Sequence, residues 1–404
     1  MKKKHFKTAL VTGLLLATVM INAQTGPAEK EPKVSFDLLI KNFQDYFNKE
    51  LGYSLKYNAS TDSNEYKIKL PVLWDSKERW IDEKEKAYTV EISDNPISLK
   101  LKEIVLSNPY DDSFPLSYSV IFQDRLISLF QPGYFVCHTI PDMQRDLLFE
   151  KKLNTHQFTF HWLIDNKLIG LSDNKYYYFN SKNKWVRYKE HIPLFHQSKF
   201  FEDESYIVYT ECVGEFGGTL FFYNKATHKI YFTRSTCATT IYAKDGKYYV
   251  LSELGHMFGH TSLREIANPE ELTPVTQEEI NNHFRASPHS AFGSSDSSKN
   301  SRLIFDFTRI GFLSSFDYKG RIVYLTYLYP VGSTFLSEID NKTIKVVHPL
   351  FNNALYTHYP VTTIYPDVIL INACWYMIGR DKEISCFIIK DDAFIKIDWN
   401  KKYR

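Results

Sequence analysis

Phe158-Thr-Phe-His-Trp-Leu163 is followed by a polar turn at Asp165-Asn166-Lys167 and then by a second apolar run, Leu168-Ile-Gly-Leu171. Two further runs, Tyr176-Tyr-Tyr-Phe179 and Trp185-Val-Arg-Tyr188, complete the unit. Short aromatic and β-branched runs bounded by turn residues are typical of β-strands. This stretch therefore predicts a sheet of four antiparallel strands.

The same order of strands and turns recurs about every 40 residues. In the first repeat the predicted fourth strand covers residues 147–150. The turn between the first two strands of each repeat contains, in order, Asp124, Asp165, Asp203, Asp245, Tyr318 and Asp367. Four strands at this period are typical of propeller blades, because each twisted sheet packs both faces against neighbours and ring closure removes exposed edges.

We therefore predict a mostly β protein in which residues 111–404 form a β-propeller of six or seven four-stranded blades. The alternative is a β-sandwich or a pair of β domains, which would contain similar strands without a constant count of four.

One interval between turns, from Asp245 to Tyr318, is much longer than the others. It contains residues 275–301, which are rich in Ser, Asn and His and predict an inserted loop. Thr276-Gln-Glu-Glu279 resembles a capping box, so we expect a short helix at its start. We expect the insertion to leave a connection between two blades and to be either a lid or disordered.

The region before the repeats has a different pattern. Apolar side chains at helical spacing predict an amphipathic helix, and they are Phe36, Leu39, Ile40, Phe43 and Phe47. Four short strand-like runs follow this helix. Residues 35–110 are therefore either a small α+β cap or a degenerate seventh blade, and the sequence leaves both open.

The first 23 residues have the pattern of an export signal. Lysines cluster at the start, an apolar stretch covers residues 8–21, and Ala23 is a small residue at the cleavage position. The apolar stretch is shorter than the ~20 residues that cross a bilayer. We expect cleavage after Ala23, a linker at residues 24–34, no stable membrane insertion, and a periplasmic or secreted location.

Charge and motifs narrow the expected partners. The formal net charge of +2 falls to about −2 when the signal lysines are removed. Basic and acidic residues alternate along the chain, whereas binding to nucleic acid needs clustered Lys and Arg, so we expect no nucleic acid partner. The sequence contains no phosphate-binding glycine loop, Gly-x-Ser-x-Gly elbow, His-Glu-x-x-His helix or Cys-x-x-Cys pair, so we expect no cofactor.

Five cysteines leave at least one thiol unpaired in a monomer, which is the oligomeric state that we expect. Cys374 and Cys386 lie on either side of a predicted turn, so they could form a disulfide across a hairpin. The alternative is that both are free and pack as small apolar groups.

Two glycine-flanked segments carry the candidate site residues. His256 and His260 lie four residues apart in the fourth repeat, and Glu211 and Glu215 flank a glycine in the third. Imidazoles and carboxylates serve as metal ligands and as acid-base groups. The alternative for each is a hydrogen-bonded loop residue without chemistry.

Propeller geometry would bring these segments to one mouth, because the loops between second and third strands share a face with the connections between blades. We expect Arg285 of the insertion to reach the same side. The sequence thus predicts an exported, non-enzymatic binding or scaffold protein of the cell envelope or secreted space. It would hold a protein, peptide or glycan through His256, His260, Glu211 and Arg285.

The alternative function is a hydrolase or lyase that acts on polysaccharide or cell-wall material. Its catalytic candidates are Glu211, Glu215, His256 and His260, and the two histidines are also weak candidates for metal ligands.

Overall fold

A computed structural model of the chain places most residues after the predicted linker. The described residues are 35–50, 67–70, 88–110, 114–140, 142–254, 259–287, 290–293, 299–308, 310–328, 331–352, 355, 357–375 and 383–399. The predicted signal peptide and linker lie outside them. Among these residues, no helix combines the length and hydropathy that crossing a membrane requires.

The described helices are α1 (Phe36–Glu50), α2 (Leu147–Leu153) and α3 (Gln277–Ala286). The strands before the repeats are β1 (Lys67–Leu70), β2 (Tyr88–Ile92) and β3 (Lys100–Leu106). Blade 1 contains β4 (Val120–Phe122), β5 (Arg125–Phe130) and β6 (Tyr134–Thr139). Blade 2 contains β7 (Phe160–Ile164), β8 (Lys167–Ser172), β9 (Lys175–Phe179) and β10 (Trp185–Arg187).

Blade 3 contains β11 (Lys199–Glu202), β12 (Tyr206–Cys212), β13 (Gly218–Asn224) and β14 (Ile230–Arg234). Blade 4 contains β15 (Ala238–Lys244), β16 (Lys247–Leu254), β17 (His260–Ile266) and β19 (Ser301–Thr308), while β18 (Thr273–Val275) joins blade 3. Blade 5 contains β20 (Gly311–Tyr318), β21 (Arg321–Leu328), β22 (Ser333–Asp340) and β23 (Thr343–Phe351). Blade 6 contains β24 (His358–Ile364), β25 (Ile369–Trp375), β26 (Glu383–Lys390) and β27 (Ala393–Trp399).

Six sheets in chain order, each built from consecutive antiparallel strands, confirm a six-bladed β-propeller. The predicted turn residues occupy equivalent places, each at or beside the turn between the first and second strands of a blade. Asp124, Asp165 and Asp245 have a positive φ there, which aspartate tolerates better than most residues.

Hydroxyl side chains join the first strands of blades 4, 5 and 6 at the propeller axis. The Thr362 hydroxyl lies 3.2 Å from that of Thr240 and 2.7 Å from that of Ser314. Thr240 also accepts a hydrogen bond of 3.1 Å from the backbone N–H of Ser315. All four residues are buried. A cavity of about 30 Å³, with room for about one water molecule, lies between residues of blades 1, 2, 3 and 6.

Two side chains of blade 6 close the ring by bonding the backbone of blade 1. The Asn372 side chain accepts from the backbone N–H of Ser119 at 3.0 Å and donates to its carbonyl at 3.0 Å, and the Tyr365 hydroxyl accepts from the backbone N–H of Ile121 at 2.9 Å. Asn372 and Ser119 are both buried, so loss of the carboxamide is costly for the backbone groups of Ser119. Apolar contact between Phe130 and Trp399, with ring centroids 4.7 Å apart, seals the same interface.

The predicted fourth strand of blade 1 is wrong, because residues 147–150 belong to α2. Asp146 begins this helix by accepting a hydrogen bond of 2.9 Å from the backbone N–H of Phe149. An N-terminal cap of this kind satisfies a donor that the first helical turn otherwise leaves free.

Side chains of α2 and its C-cap then replace the missing strand. The Asn154 carboxamide bonds both backbone groups of Phe135, at 2.7 and 2.9 Å. The buried Glu150 accepts from the backbone N–H of Cys137 at 3.0 Å and pairs with Arg145 at 2.8 Å. The edge of blade 1 is thereby covered, which removes a site for strand addition by another chain.

The strands before the repeats extend existing blades, and none of those described forms a seventh. β2 pairs in parallel with β23 of blade 5, and β3 pairs in parallel with β27 of blade 6. Between them, Ile97 donates to the carbonyl of Val347 at 3.0 Å and accepts from His348 at 3.1 Å. The predicted helix α1 is present, and its Leu39 and Phe43 pack on blade 5.

The insertion interrupts blade 4 between its third and fourth strands, so the expected connection between two blades is wrong. β18 pairs instead with β14 on the outer edge of blade 3. The predicted helix is confirmed as α3, with Thr276 and Glu279 in a reciprocal capping box. Beyond it, Arg234 donates to the carbonyls of Ala291 and Gly293 at 3.2 and 3.3 Å. The insertion therefore lies on blade 3.

The disulfide joins blades 3 and 4 through Cys212 and Cys237, whose Cα atoms are 4.7 Å apart. The predicted Cys374–Cys386 disulfide is wrong, because neither cysteine forms a disulfide and both are buried. Cys386 lies opposite Asn372 in the strand pair, so the two cysteines are diagonal neighbours. Diagonal positions are about 7–8 Å apart, which is too far for an undistorted disulfide.

We expect Asn372→Ala to lower the free energy of unfolding by about 3 kcal/mol, because it leaves two buried backbone groups of Ser119 unpaired. Urea denaturation measures this change. Asn282→Ala on the exposed face of α3 is the control and should change stability by less than about 0.5 kcal/mol. A loss below about 1 kcal/mol for Asn372→Ala would contradict the closing role of the carboxamide.

Candidate functional site

The predicted site residues of the third repeat lie where β12 ends. Glu211 is opposite Thr219 in the strand pair, and the Thr219 hydroxyl donates to the carbonyl of Phe292 in the insertion at 2.9 Å. The Oε2 atom of Glu211 is buried without a hydrogen-bond partner among the described residues, and burial raises the pKa of its carboxyl to about 7. Glu215 lies in a short 3-10 helix at residues 214–216, and its side chain lies outside the described residues.

The remaining predicted residues are placed elsewhere. His260 begins β17 and forms an ion pair or hydrogen bond with Asp306 of β19, both in blade 4. Arg285 is exposed near the end of α3, and His256 lies outside the described residues. The described contacts of Glu211, His260 and Arg285 therefore do not join these residues to one another. No group of three or more His, Cys, Asp or Glu that could hold a metal occurs within the described part of the chain.

A serine and a histidine near the axis form a pair that is structural. The Ser117 hydroxyl lies 2.6 Å from Nδ1 of His161, and Nε2 of the same ring donates to the carbonyl of Ile127 at 3.3 Å. Burial lowers the pKa of His161 to about 4, so the ring is neutral at pH 7. Both of its nitrogens are used within the protein, so the pair joins blades 1 and 2 without offering a free base.

A large recess lies at the side of the propeller, where the insertion crosses blade 3. We call it the outer groove, and its volume is about 950 Å³. Its walls come from the segment after β10, the turn between β13 and β14, β18 and the start of α3. Its lining residues are Glu190, His191, Tyr223, His228, Lys229, Ile230, Pro274, Val275, Thr276, Gln277 and Glu279.

Two histidines share one tyrosine hydroxyl in the outer groove. Nδ1 of His191 lies 3.1 Å from the Tyr223 hydroxyl, and Nδ1 of His228 makes a shorter hydrogen bond with the same oxygen. The Tyr223 ring is buried, whereas both imidazoles are exposed. Because each ring uses Nδ1, each directs its second nitrogen away from the hydroxyl.

Polar side chains on the rim of the outer groove form hydrogen bonds within the protein. Glu190 accepts a hydrogen bond of 2.8 Å from the Tyr188 hydroxyl. Glu279 accepts from the backbone and hydroxyl of Thr276 through one oxygen, and these contacts lower the pKa of its carboxyl. Gln277 donates to Asn281 at 3.1 Å, while its own carbonyl oxygen is buried without a partner among the described residues.

Sequence reasoning missed the outer groove, because its residues come from four separate segments. The sequence contained one relevant signal, the capping box at Thr276, which predicted a helix in the insertion. Nothing in the spacing of His191, Tyr223 and His228 indicated that they meet.

No protein-family model matches the chain, and no curated protein matches it. Solved structures that resemble it include the N-terminal domain of Nup159, at 9% identity over 74% of this chain and 85% of that one, with a TM-score of 0.31. PorZ of Porphyromonas gingivalis, a surface component of the type-IX secretion system, is 10% identical over 72% of this chain and 36% of that one, with a TM-score of 0.30. BamB from Moraxella catarrhalis is 8% identical over 64% and 82%, with a TM-score of 0.26.

A second carboxyl with a raised pKa lies beside the disulfide. Glu253 is buried at the end of β16, where burial raises the pKa of its carboxyl to about 7 and the Tyr327 hydroxyl donates to it at 2.7 Å. The Tyr327 ring also occupies the space above Gly311, where an added Cβ would lie 1.8 Å from a ring carbon. Glu253 is therefore a packed structural carboxyl that is neutral below pH 7.

We expect stability to fall as pH rises through 7, because the folded state binds the Glu253 proton more tightly than the unfolded state does. This stabilisation is fully present below the unfolded pKa of about 4.5 and is lost above the folded pKa of about 7. Glu253→Gln keeps the shape and removes the charge. Its free energy of unfolding relative to wild type should rise by about 3 kcal/mol from pH 4.5 to pH 8.5 in urea denaturation. If the difference in free energy of unfolding between Glu253→Gln and wild type does not change with pH, the raised pKa of Glu253 is contradicted.

Proposed function

We propose that the protein is an exported, non-enzymatic binding protein of the cell envelope or secreted space that holds a protein, peptide or glycan ligand in the outer groove. One observation carries this proposal: the outer groove, about 950 Å³ in volume, combines buried apolar side chains with several polar groups. Concave sites of this size with a few convergent polar groups are typical of ligand-binding pockets.

The closed axis supports a site at the side of the propeller. Hydrogen bonds between Thr240, Ser314 and Thr362 occupy the centre, and the nearby cavity of about 30 Å³ has room for about one water molecule. A peptide or sugar ring needs roughly ten times that volume. The ligand of this propeller is therefore expected at a surface.

Export is supported by the first residues and by the disulfide. Lys2, Lys3 and Lys4 precede the apolar stretch that predicts the signal. The Cys212–Cys237 disulfide would persist in an oxidising compartment such as the periplasm or the extracellular space.

A hydrolase or lyase acting on polysaccharide or cell-wall material is the second candidate, and one observation favours it. Glu211 has an unpartnered oxygen and a pKa of about 7, which suits a general acid. Incubation with soluble polysaccharides and peptidoglycan fragments, with wild type and Glu211→Gln side by side, tests this candidate. If the wild type cleaves bonds and Glu211→Gln does not, the protein is a hydrolase or lyase and the binding function is rejected.

We expect Gln277→Trp to weaken ligand binding at least about tenfold, because the indole fills the outer groove. Ligands would be selected from random 12-residue peptides on phage and from an array of glycan fragments, and dissociation constants would be measured by calorimetry. Asn282→Trp is the matched control, since it adds the same ring to the same helix outside the groove lining.

Selected ligands that bind Gln277→Trp as tightly as wild type would place the site elsewhere. The absence of any ligand from both sets would overturn the binding function. Equal melting temperatures of the two tryptophan variants would show that the comparison concerns binding and not folding.

A further inference from the structure

We propose that the outer groove binds a cationic peptide segment at neutral pH and releases it on acidification, with His191, Tyr223 and His228 as the proton-sensing element. This inference rests on the proposed binding function and specifies its ligand and its control.

The charge of the outer groove favours a cation. Its lining contains the carboxylates Glu190 and Glu279 against one ammonium, Lys229. The part of the lining that comes from β18 and α3 carries one charged side chain, Glu279, and no Lys, Arg or His. With both histidines neutral, Lys and Arg side chains of a ligand would therefore meet complementary charge, which speeds association and selects the partner.

The remaining lining suits the backbone of an extended peptide. Ile230 and Val275 are buried apolar residues in the lining of the outer groove, and Pro274 is the middle residue of β18.

The shared hydroxyl sets the protonation of the histidine pair. In the neutral state the Tyr223 hydroxyl donates to one Nδ1 and accepts from the other, so the two rings are opposite tautomers. The first proton adds to the ring that already carries hydrogen on Nδ1, and no hydrogen bond changes. A second proton makes both Nδ1 atoms donors, so the hydroxyl must turn its own hydrogen elsewhere. The pair therefore takes up protons in two separate steps.

Protonation changes the sign of the charge in the outer groove. The groups that face the pair are Glu190 on the segment after β10, Lys229 on the β13–β14 turn and Glu279 on α3. One added proton cancels the excess negative charge, and a second leaves the groove positive.

The ring of His191 is neutral at neutral pH. Burial, and then the neighbouring His228, lower the pKa of His191. Burial raises the pKa of Tyr223, and the pKa of Tyr188 is raised by burial and by Glu190, so both phenols stay neutral. A cationic ligand would be repelled once the imidazoles are charged.

Calorimetry with two synthetic 12-residue peptides tests the proposal on the full mature chain. One peptide alternates lysine and serine, and the other alternates glutamate and serine. The lysine peptide should bind at pH 7.5 and at least about tenfold more weakly at pH 5.5, and Gln277→Trp should weaken it at pH 7.5. The glutamate peptide should not bind at pH 7.5. Equal binding of the two peptides, or no binding of the lysine peptide, would overturn the proposal.

The double variant His191→Gln/His228→Gln isolates the sensor. Whatever its affinity for the lysine peptide at pH 7.5, the ratio of its affinities at pH 7.5 and pH 5.5 should fall to about one, whereas the control His156→Gln, which removes an exposed imidazole outside the groove lining, should keep the wild-type ratio. Thermal unfolding at both pH values confirms that each variant is folded. A double variant with the wild-type pH dependence would refute the sensor.

Failure of this inference is distinguishable from failure of the proposed function. Selected ligands that depend on the groove but are neutral or acidic would retain the binding function and reject the cationic ligand.

Discussion

The structure depends on closure of the ring, because a propeller whose last blade does not meet its first exposes two sheet faces. The Asn372 carboxamide makes this contact by matching both backbone groups of Ser119. The same constraint acts at the axis, where blades 4, 5 and 6 meet through the hydroxyls of Thr240, Ser314 and Thr362. Small polar side chains let the inner strands approach closely while each hydroxyl keeps a partner. The closed centre is a consequence, and it leaves the sides of the blades for binding.

Much of this fold could be predicted from the sequence, because blade turns are local. The turns at Asp124, Asp165 and Asp245 each depend only on the residues of one hairpin. The spacing of these aspartates therefore revealed the length of the repeat. The helix α2 was missed because Leu147 and Leu148 read as strand residues, although both are exposed at the start of a helix. What decides that segment is tertiary: the edge of β6 is satisfied by side chains of α2 and its C-cap, and no local propensity records this.

The candidate site could be predicted far less well. Glu211 and His260 were selected because loops between second and third strands share one face of a propeller, but no contact among the described residues joins these two side chains. The pair His191 and His228 approaches through Tyr223 after the chain has passed from blade 2 to the outer part of blade 3. Contacts of this type depend on how neighbouring blades pack. A single sequence carries no periodic signal for them.

The outer groove exists because a segment of blade 4 lies on blade 3. Ile280 of α3 packs in the core shared by blades 2 and 3, and Arg234 and Thr219 bond carbonyls of the insertion beyond that helix. The Cys212–Cys237 disulfide joins the same two blades. A ligand bound there, as we propose, would contact both the insertion and blade 3, so its binding energy would add to the contacts that hold them together. On this proposal, a change that weakens the packing of the insertion on blade 3 would also weaken ligand binding.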